Sequence, residues 1–412
     1  MANIKPFKAI RPRKDLAHRI AALPYDVYNR QEAKIEVEKE PLSFLKIDRA
    51  ETQFSDDVDT YDDRVYEKAR DTLNSMLDEG LFIQDSREYY YIYELIMDKR
   101  SQTGIVACAS IDDYENNIIK KHENTRKEKE IDRIRHVDTC NAQTGPIFLA
   151  YRQKEEIKAI VEEVKQEDKL YGFTSPDGIT HNIWVIKEQE KIEKLRDSFK
   201  AMDSIYIADG HHRTASAVRV GQMRRGVNPD YDGTEEFNYF LSVLFPDNQL
   251  LIQPYNRVVK NLNGNTKEEF LDKVSEYFYI EEVGKEPYAP SKKATFGMFL
   301  DGSWYKLKIK EGLVDFSDPV DSLDVSILQK YLLDNILGIK DPKTDDNIDF
   351  IGGIRGLKEL ERRVATDMVV AFSMYPTSME ELFAVSDAGK LMPPKSTWFE
   401  PKLRSGLFIH RI

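Results

Sequence analysis

The sequence predicts an α+β chain in two parts, residues 1–260 and 261–412, and three observations predict it. Strand-length apolar runs come as hairpins, 88–97 with 102–111 around a turn at 98–101 and a second hairpin across 294–309 with Asp301-Gly302 at its tip. Amphipathic helical patterns interleave with them at 61–80, 154–165, 188–202 and 322–336. A polar stretch at 261–266, Asn261-Leu262-Asn263-Gly264-Asn265-Thr266, breaks the pattern and reads as the linker between the two parts.

Taken in order, the chain opens with an extended segment fixed by Pro6 and Pro12. A helix over 29–40 follows, for which Asn29 and Glu32 form a capping box. Between them Pro24-Tyr25-Asp26 makes a turn. Asp26 there is either a loop carboxylate placed for chemistry or a turn residue bonding its own backbone. Residues 41–51 read as a strand ending in the charged group Asp48, Arg49 and Glu51. In the helix at 61–80, Val65, Ala69, Leu73, Met76 and Leu77 recur at helical spacing and Gly80 supplies the stop. The tyrosines at 89–91 and 93 suit a pleated surface. After a charged helix at 127–137 and a polar loop from 139, a strand begins near Ile147. Strands are read at 170–174 and 181–186, where His181 is a sheet residue, then at 237–245 and at 250–259, the last broken by Pro254. The second part holds a helix at 267–278, the hairpin, the 322–336 helix, a polar loop at 341–346 and a helix–strand pair over 356–374.

The chemistry concentrates at residues 204–219. An apolar strand, 205–208, turns at Asp209-Gly210 and starts a helix near His212. The first amides of such a helix have no partner within it and face whatever lies above the strand end, which makes the turn an anion site. Gly210 allows close approach, Arg213 offers a planar fork of donors, and His211, His212 and Thr214 add polar groups. Asp209 either holds Mg²⁺ or caps the helix. Adjacent helical histidines diverge by about 100°, so the pair does not suit a single metal ion.

A second polar cluster, Lys121, His122, Glu123 and Arg126, stands just before the 127–137 helix. Arg126 occupies the place of the second histidine of a zinc-protease motif, so that motif is rejected. Lys121 and Arg126 are candidates to neutralise phosphates, and Glu123 to bind metal or take a proton; an ion-paired helix start is the plain alternative. Near the end, Lys395 and Lys402 lie among prolines, placed either to close over a ligand or to dock the tail.

Ile207-Ala208-Asp209-Gly210-His211-His212-Arg213-Thr214 resembles the phosphate-binding signature of the ParB/sulfiredoxin-like superfamily, most closely the form found in its free serine kinases. His122-Glu123-Asn124-Thr125, Gly145-Pro146-Ile147-Phe148 and Met392-Pro393-Pro394-Lys395-Ser396-Thr397 are similar to the pattern of the DUF1015 family. The resemblance implies a ParB/sulfiredoxin-like mixed-sheet core with large insertions, carrying a C-terminal α+β region. It also implies nucleotide phosphates gripped at the elbow, for which Asp209, Gly210, His211, His212, Arg213 and Thr214 are the candidates. The residues themselves, apart from the resemblance, suggest ATP or ADP as the nucleotide, Lys121, His122, Arg126 and Lys395 as supporting groups, and the metal and catalytic roles that follow. Mg²⁺ falls to Asp209 and Glu123, and the catalytic roles to Asp26, Glu123 and His212.

Composition narrows the classes. Sixty Lys and Arg against 72 Asp and Glu leave a net charge of −12, which disfavours a nuclease or any non-specific nucleic-acid binder. No apolar run reaches membrane-spanning length. Two cysteines, Cys108 and Cys140, are too few for a disulfide framework, and with no apolar run behind the first charges the expectation is a cytoplasmic protein. Walker A and Rossmann glycine patterns are missing. The expectation is therefore a nucleotide-dependent kinase acting on a small hydroxyl metabolite, free L-serine foremost. A ParB-type nucleotide-binding regulator without turnover is the alternative, and a homodimer stays open.

Overall fold

The computed structural model describes residues 1–412 and divides them into two compact units, Met1–Leu250 with Pro401–Ile412, and Leu251–Glu400. The first unit is built on a nine-stranded mixed sheet. Its order is Ile119–Lys120, Ile205–Asp209, Ile147–Tyr151, Tyr239–Pro246, Arg100–Ser110, Tyr90–Met97, Thr180–Ile186 and Tyr171–Thr174, with Ile4–Lys5 added on Arg100–Ser110. Ile205–Asp209 runs parallel to Ile119–Lys120 and antiparallel to Ile147–Tyr151, which in turn is parallel to Tyr239–Pro246. The long central hairpin turns at Asp98 and Lys99, both at positive φ, the conformation that matches strand twist in a two-residue turn.

One apolar cluster joins the sheet, through Ile92, Ile105, Leu149, Trp184, Ile207 and Leu244, to the helices Glu155–Val164 and Gln189–Lys200. A second gathers Phe44, Ile47, Leu73, Phe82 and Cys140 around the helix Asp63–Asp78. The capping box on Arg30–Lys39 forms as read, with Asn29 accepting from the Glu32 amide and Glu32 from that of Asn29. Both cysteines are buried free thiols, and burial pushes that of Cys140 up to about 12.

Residues 41–51 are not a strand. They form a short helix, Leu45–Asp48, and the 3₁₀ turn Ala50–Gln53. Leu45 and Phe44 are both buried, as are Ile47 and Asp48, so the burial does not alternate as a strand requires. Arg49 fixes the turn by donating to the carbonyls of Tyr25 and Tyr28 at 3.0 and 2.8 Å.

The second unit is an antiparallel six-stranded sheet in the order Phe278–Gly284, Ser303–Ile309, Thr295–Leu300, Val370–Ser373, Tyr255–Val259, Ile348–Gly352. The chain therefore divides ten residues before the expected boundary. Tyr255–Val259 is an interior strand of this sheet, and Thr266, in the supposed linker, caps the helix Lys267–Tyr277. The helix read at 322–336 is a short α-helix, Asp324–Leu328, continued by π turns over Gln329–Asp334. A further helix, Met379–Asp387, lies outside the sequence expectations and has its own capping box on Ser378.

The tail returns to the first unit: Ser405 and Ala22 exchange backbone hydrogen bonds, as do Ile409 and Ile10. The helix that matters most to the site, His211–Val227, lies close against its surroundings at Gly221. A Cβ there would stand 2.5 Å from the Phe237 carbonyl oxygen and 2.6 Å from Ile111 Cδ1. Gly221→Ala is expected to lower unfolding free energy by about 1–3 kcal/mol, the usual range for overpacking, as read from urea denaturation.

Candidate functional site

The elbow has the geometry its sequence implies. Ile205–Asp209 ends in a register shift between Ile207 and Asp209 opposite Phe148, a bulge that re-aims the last strand residue. Gly210 follows in the left-handed conformation, φ 98°, and the helix starts at His211 with no side chain capping it. A Cβ on residue 210 would meet the Arg213 guanidinium at 3.0–3.1 Å, so glycine is required both by φ and by the arginine folded back over it. Arg213 donates to the Pro146 carbonyl and stands 4.0 Å from Asp209 Oδ2. The same oxygen accepts from Lys402 Nζ at 3.1 Å. Burial alone would raise the Asp209 carboxyl, but Lys402 and Arg213 together hold it well below the usual range.

Three of the expected phosphate ligands are committed elsewhere. His211 is buried with its ring edge-on to His122, centroids 4.4 Å apart, and its Nε2 faces the His122 amide at 3.5 Å. Burial and the neighbouring His122 push His211 well below the ordinary histidine range. His122 is also buried and drops to about 4, the Ile207 backbone and Asp209 only partly opposing the effect of burial. Thr214 is fully buried and donates to the Gly210 carbonyl at 3.1 Å, inside its own helix. These side chains are packed beneath the elbow. His212 remains partly exposed, its Nε2 accepting from the Arg126 amide at 2.9 Å. Exposed Asp26, on the turn Tyr25–Val27, is near enough for its charge to oppose the lowering that burial imposes on His212.

Beside the elbow lies a cavity of about 30 Å³ that Arg213 also lines. Its other polar walls were not singled out from sequence: Arg133 and His136 on the helix Lys127–Cys140, Thr144, and Ser405 of the tail. Asp48, in sequence part of the charged end of an expected strand, sits among them. Its Oδ1 accepts from Thr144 Oγ1 at 2.8 Å and lies 3.6 Å from His136 Nε2. Burial would raise this carboxyl, but His136, Ser405 and Arg133 hold it down. A wider cleft, about 770 Å³, opens elsewhere on this unit, but none of the elbow residues lines it. Its buried arginine, Arg404, is already bonded to Ser175, Asp177 and His181.

Of the remaining candidates, Lys121 is exposed with its ammonium 5.8 Å from the Tyr114 ring centre, and Glu123 is partly exposed in the loop that follows. Lys395 belongs to the second unit, at φ 58° with its ammonium 5.5 Å from the Tyr255 ring centre. The expected magnesium site on Asp209 and Glu123 does not fit these residues. No group of three His, Cys, Asp or Glu side chains comes together to hold a metal, and the Asp209 carboxylate is already ion-paired with Lys402.

Buried neutral histidines under the elbow make stability depend on pH. Above about 6.5 His122 is neutral both folded and unfolded. As pH falls toward about 4, the unfolded chain takes up a proton that the native state refuses. Stability is therefore lost on acidification, by about 3 kcal/mol across that window for this residue alone. His122→Gln is expected to flatten the slope between those pH values in urea unfolding measured at a series of pH values.

Several solved structures share a loose likeness with the chain. A free serine kinase variant in complex with ADP is 15% identical, covers 76% of this chain and 95% of its own, and gives a TM-score of 0.36. SbnI with a C-terminal truncation, from Staphylococcus aureus, is 10% identical over 74% of this chain and 86% of its own, TM-score 0.39. A conserved hypothetical protein from Pyrococcus furiosus is 14% identical over 74% and 94%, TM-score 0.35. These overlaps are too loose to bear on activity. No curated protein matches the chain. The profile described as "Protein of unknown function (DUF1015)" matches residues 4–326, and the chain belongs to that family.

Proposed function

We propose that this chain moves a phosphoryl group from ATP or ADP to the hydroxyl of a small metabolite, on a ParB/sulfiredoxin-like core, with free L-serine the acceptor suggested by the elbow's resemblance to serine kinases. The observation that carries the reading is the uncapped helix start at Gly210, flanked by the charges of Lys402 and Arg213 and adjoined by a small cavity that Arg133 and Arg213 line. Helix N-termini of this kind attract anions through bare amides and the helix dipole.

The nucleotide supplies the phosphoanhydride bond that breaks. The amides at His211–Arg213 and the Lys402 ammonium hold the anionic end, and Arg213, pinned on the Pro146 carbonyl, keeps its charge fixed without reorganisation. Asp26 takes the acceptor proton as the hydroxyl oxygen bonds to phosphorus, with His212 beside it. His211, His122 and Thr214 position these groups from beneath.

A nucleotide-binding regulator without turnover is the second reading. It draws on one observation, that the carboxylate nearest the elbow is ion-paired with Lys402 and so is not at hand for a metal or a proton.

Purified protein supplied with Mg²⁺, ATP or ADP and a panel of hydroxyl compounds is expected to form a phosphomonoester, followed by phosphorus NMR. Its rate should fall about 10²-fold in Lys402→Ala and in Asp26→Asn. A nucleotide-induced rise in Tm with no product from any acceptor selects the regulator, and neither binding nor transfer ends both readings.

A further inference from the structure

Arg133 is a buried cation with its best donors unused. Its side chain is 9% exposed, its Nε donates to Asp132 Oδ2 at 3.0 Å, and its flat face lies 4.1 Å from the Tyr25 ring centre. That bond through Nε is the one hydrogen bond the guanidinium makes, so its two terminal nitrogens have no protein partner, and the side chain lines the cavity beside the elbow. The contrast with Arg404, which is bonded through both Nε and Nη2, is direct. A desolvated guanidinium gains most when its fork is filled by a planar anion through two parallel hydrogen bonds.

The rest of the cavity selects the anion. At about 30 Å³ it has room for roughly two waters, which is the scale of a carboxylate and excludes a ribose or a base. Asp48, held ionised, is another of its walls, with Thr144 and Ser405 beside it. A dianionic phosphate there meets a buried negative charge. A carboxylate carries one charge in a plane, and an ammonium or hydroxyl next to it finds an acceptor in Asp48. Pro24 and Tyr25 form part of the wall, and Asp26, the proposed base, follows them in the chain.

We propose that this cavity is the carboxylate end of the acceptor subsite: it seats the carboxylate of a small acid on the Arg133 fork, and the amino or hydroxyl group of that acid stays at the cavity's edge beside Asp48. The inference rests on the phosphotransferase reading for its word "acceptor" and on the cavity alone for its ligand class. Arg213, which both covers Gly210 and lines the cavity, connects the two halves of the site.

The test is calorimetry and thermal shift on the full chain. The probes are L-serine, D-glycerate, their decarboxylated counterparts ethanolamine and ethylene glycol, and separately ADP. The two acids should bind at least about 10²-fold more tightly than the two counterparts, the usual scale of a charge-assisted bidentate contact. Arg133→Lys keeps the charge but removes the fork and should abolish acid binding while ADP binding persists. Ala217→Leu fills the cavity from the elbow helix and should do the same, which covers the case in which the Arg133 variant fails to fold. Binding of ADP without either acid, or equal binding of acids and counterparts, overturns the subsite and leaves the nucleotide reading standing. Binding of the acids without ADP upholds the subsite and defeats the nucleotide reading.

Discussion

The buried carboxylate of Asp48 is the constraint around which the site is assembled. A desolvated negative charge needs hydrogen bonds and countercharge. Asp48 draws them from two regions far from it in the chain: His136 and Thr144, on a helix and the loop after it, and Ser405 in the C-terminal tail, with Arg133 nearby. Satisfying this one group brings those segments together and leaves between them a cavity whose walls are already oriented. Removing any partner strands the others, so the cluster is a specificity device as much as a source of stability.

The elbow is organised the same way, by a carboxylate with cations around it. The bulge before Asp209 turns its side chain toward Lys402, and Gly210 lets Arg213 fold back over the backbone. Beneath them His211 and His122 are kept neutral by burial, so the charge near the helix start comes from Lys402 and Arg213 and varies little near neutral pH. The helix start thus presents fixed dipoles and two permanent cations, which the Asp209 carboxylate between them partly neutralises.

The second unit illustrates how local signals mislead at a boundary. The asparagine- and glycine-rich stretch at 261–266 has the composition of a linker, yet it is a loop within a sheet whose strand Tyr255–Val259 is paired on both sides. Turn chemistry reports that the chain reverses. It does not report whether the strands flanking the turn belong to one sheet or two.

What the sequence determined by itself is whatever depends on neighbours in the chain. The hairpins at Asp98 and Asp301, the capping box at Asn29 and the strand–glycine–helix elbow at 205–213 follow from φ preferences and first-turn amides, which need no distant partner. What only the tertiary structure decided is which polar residues line the cavity and which are packed beneath the elbow. His211, His122 and Thr214 read as donors in the sequence and are packed under the elbow. Arg133, His136, Thr144 and Ser405 read as unremarkable helix, loop and tail residues, yet they wall the cavity. Burial and pairing of a side chain depend on contacts between segments tens to hundreds of residues apart, and helical or strand periodicity carries no record of them. For the same reason residues 41–51 resemble a strand in sequence: their apolar content is local, but the Arg49 bonds to Tyr25 and Tyr28 that hold them in helical turns are not.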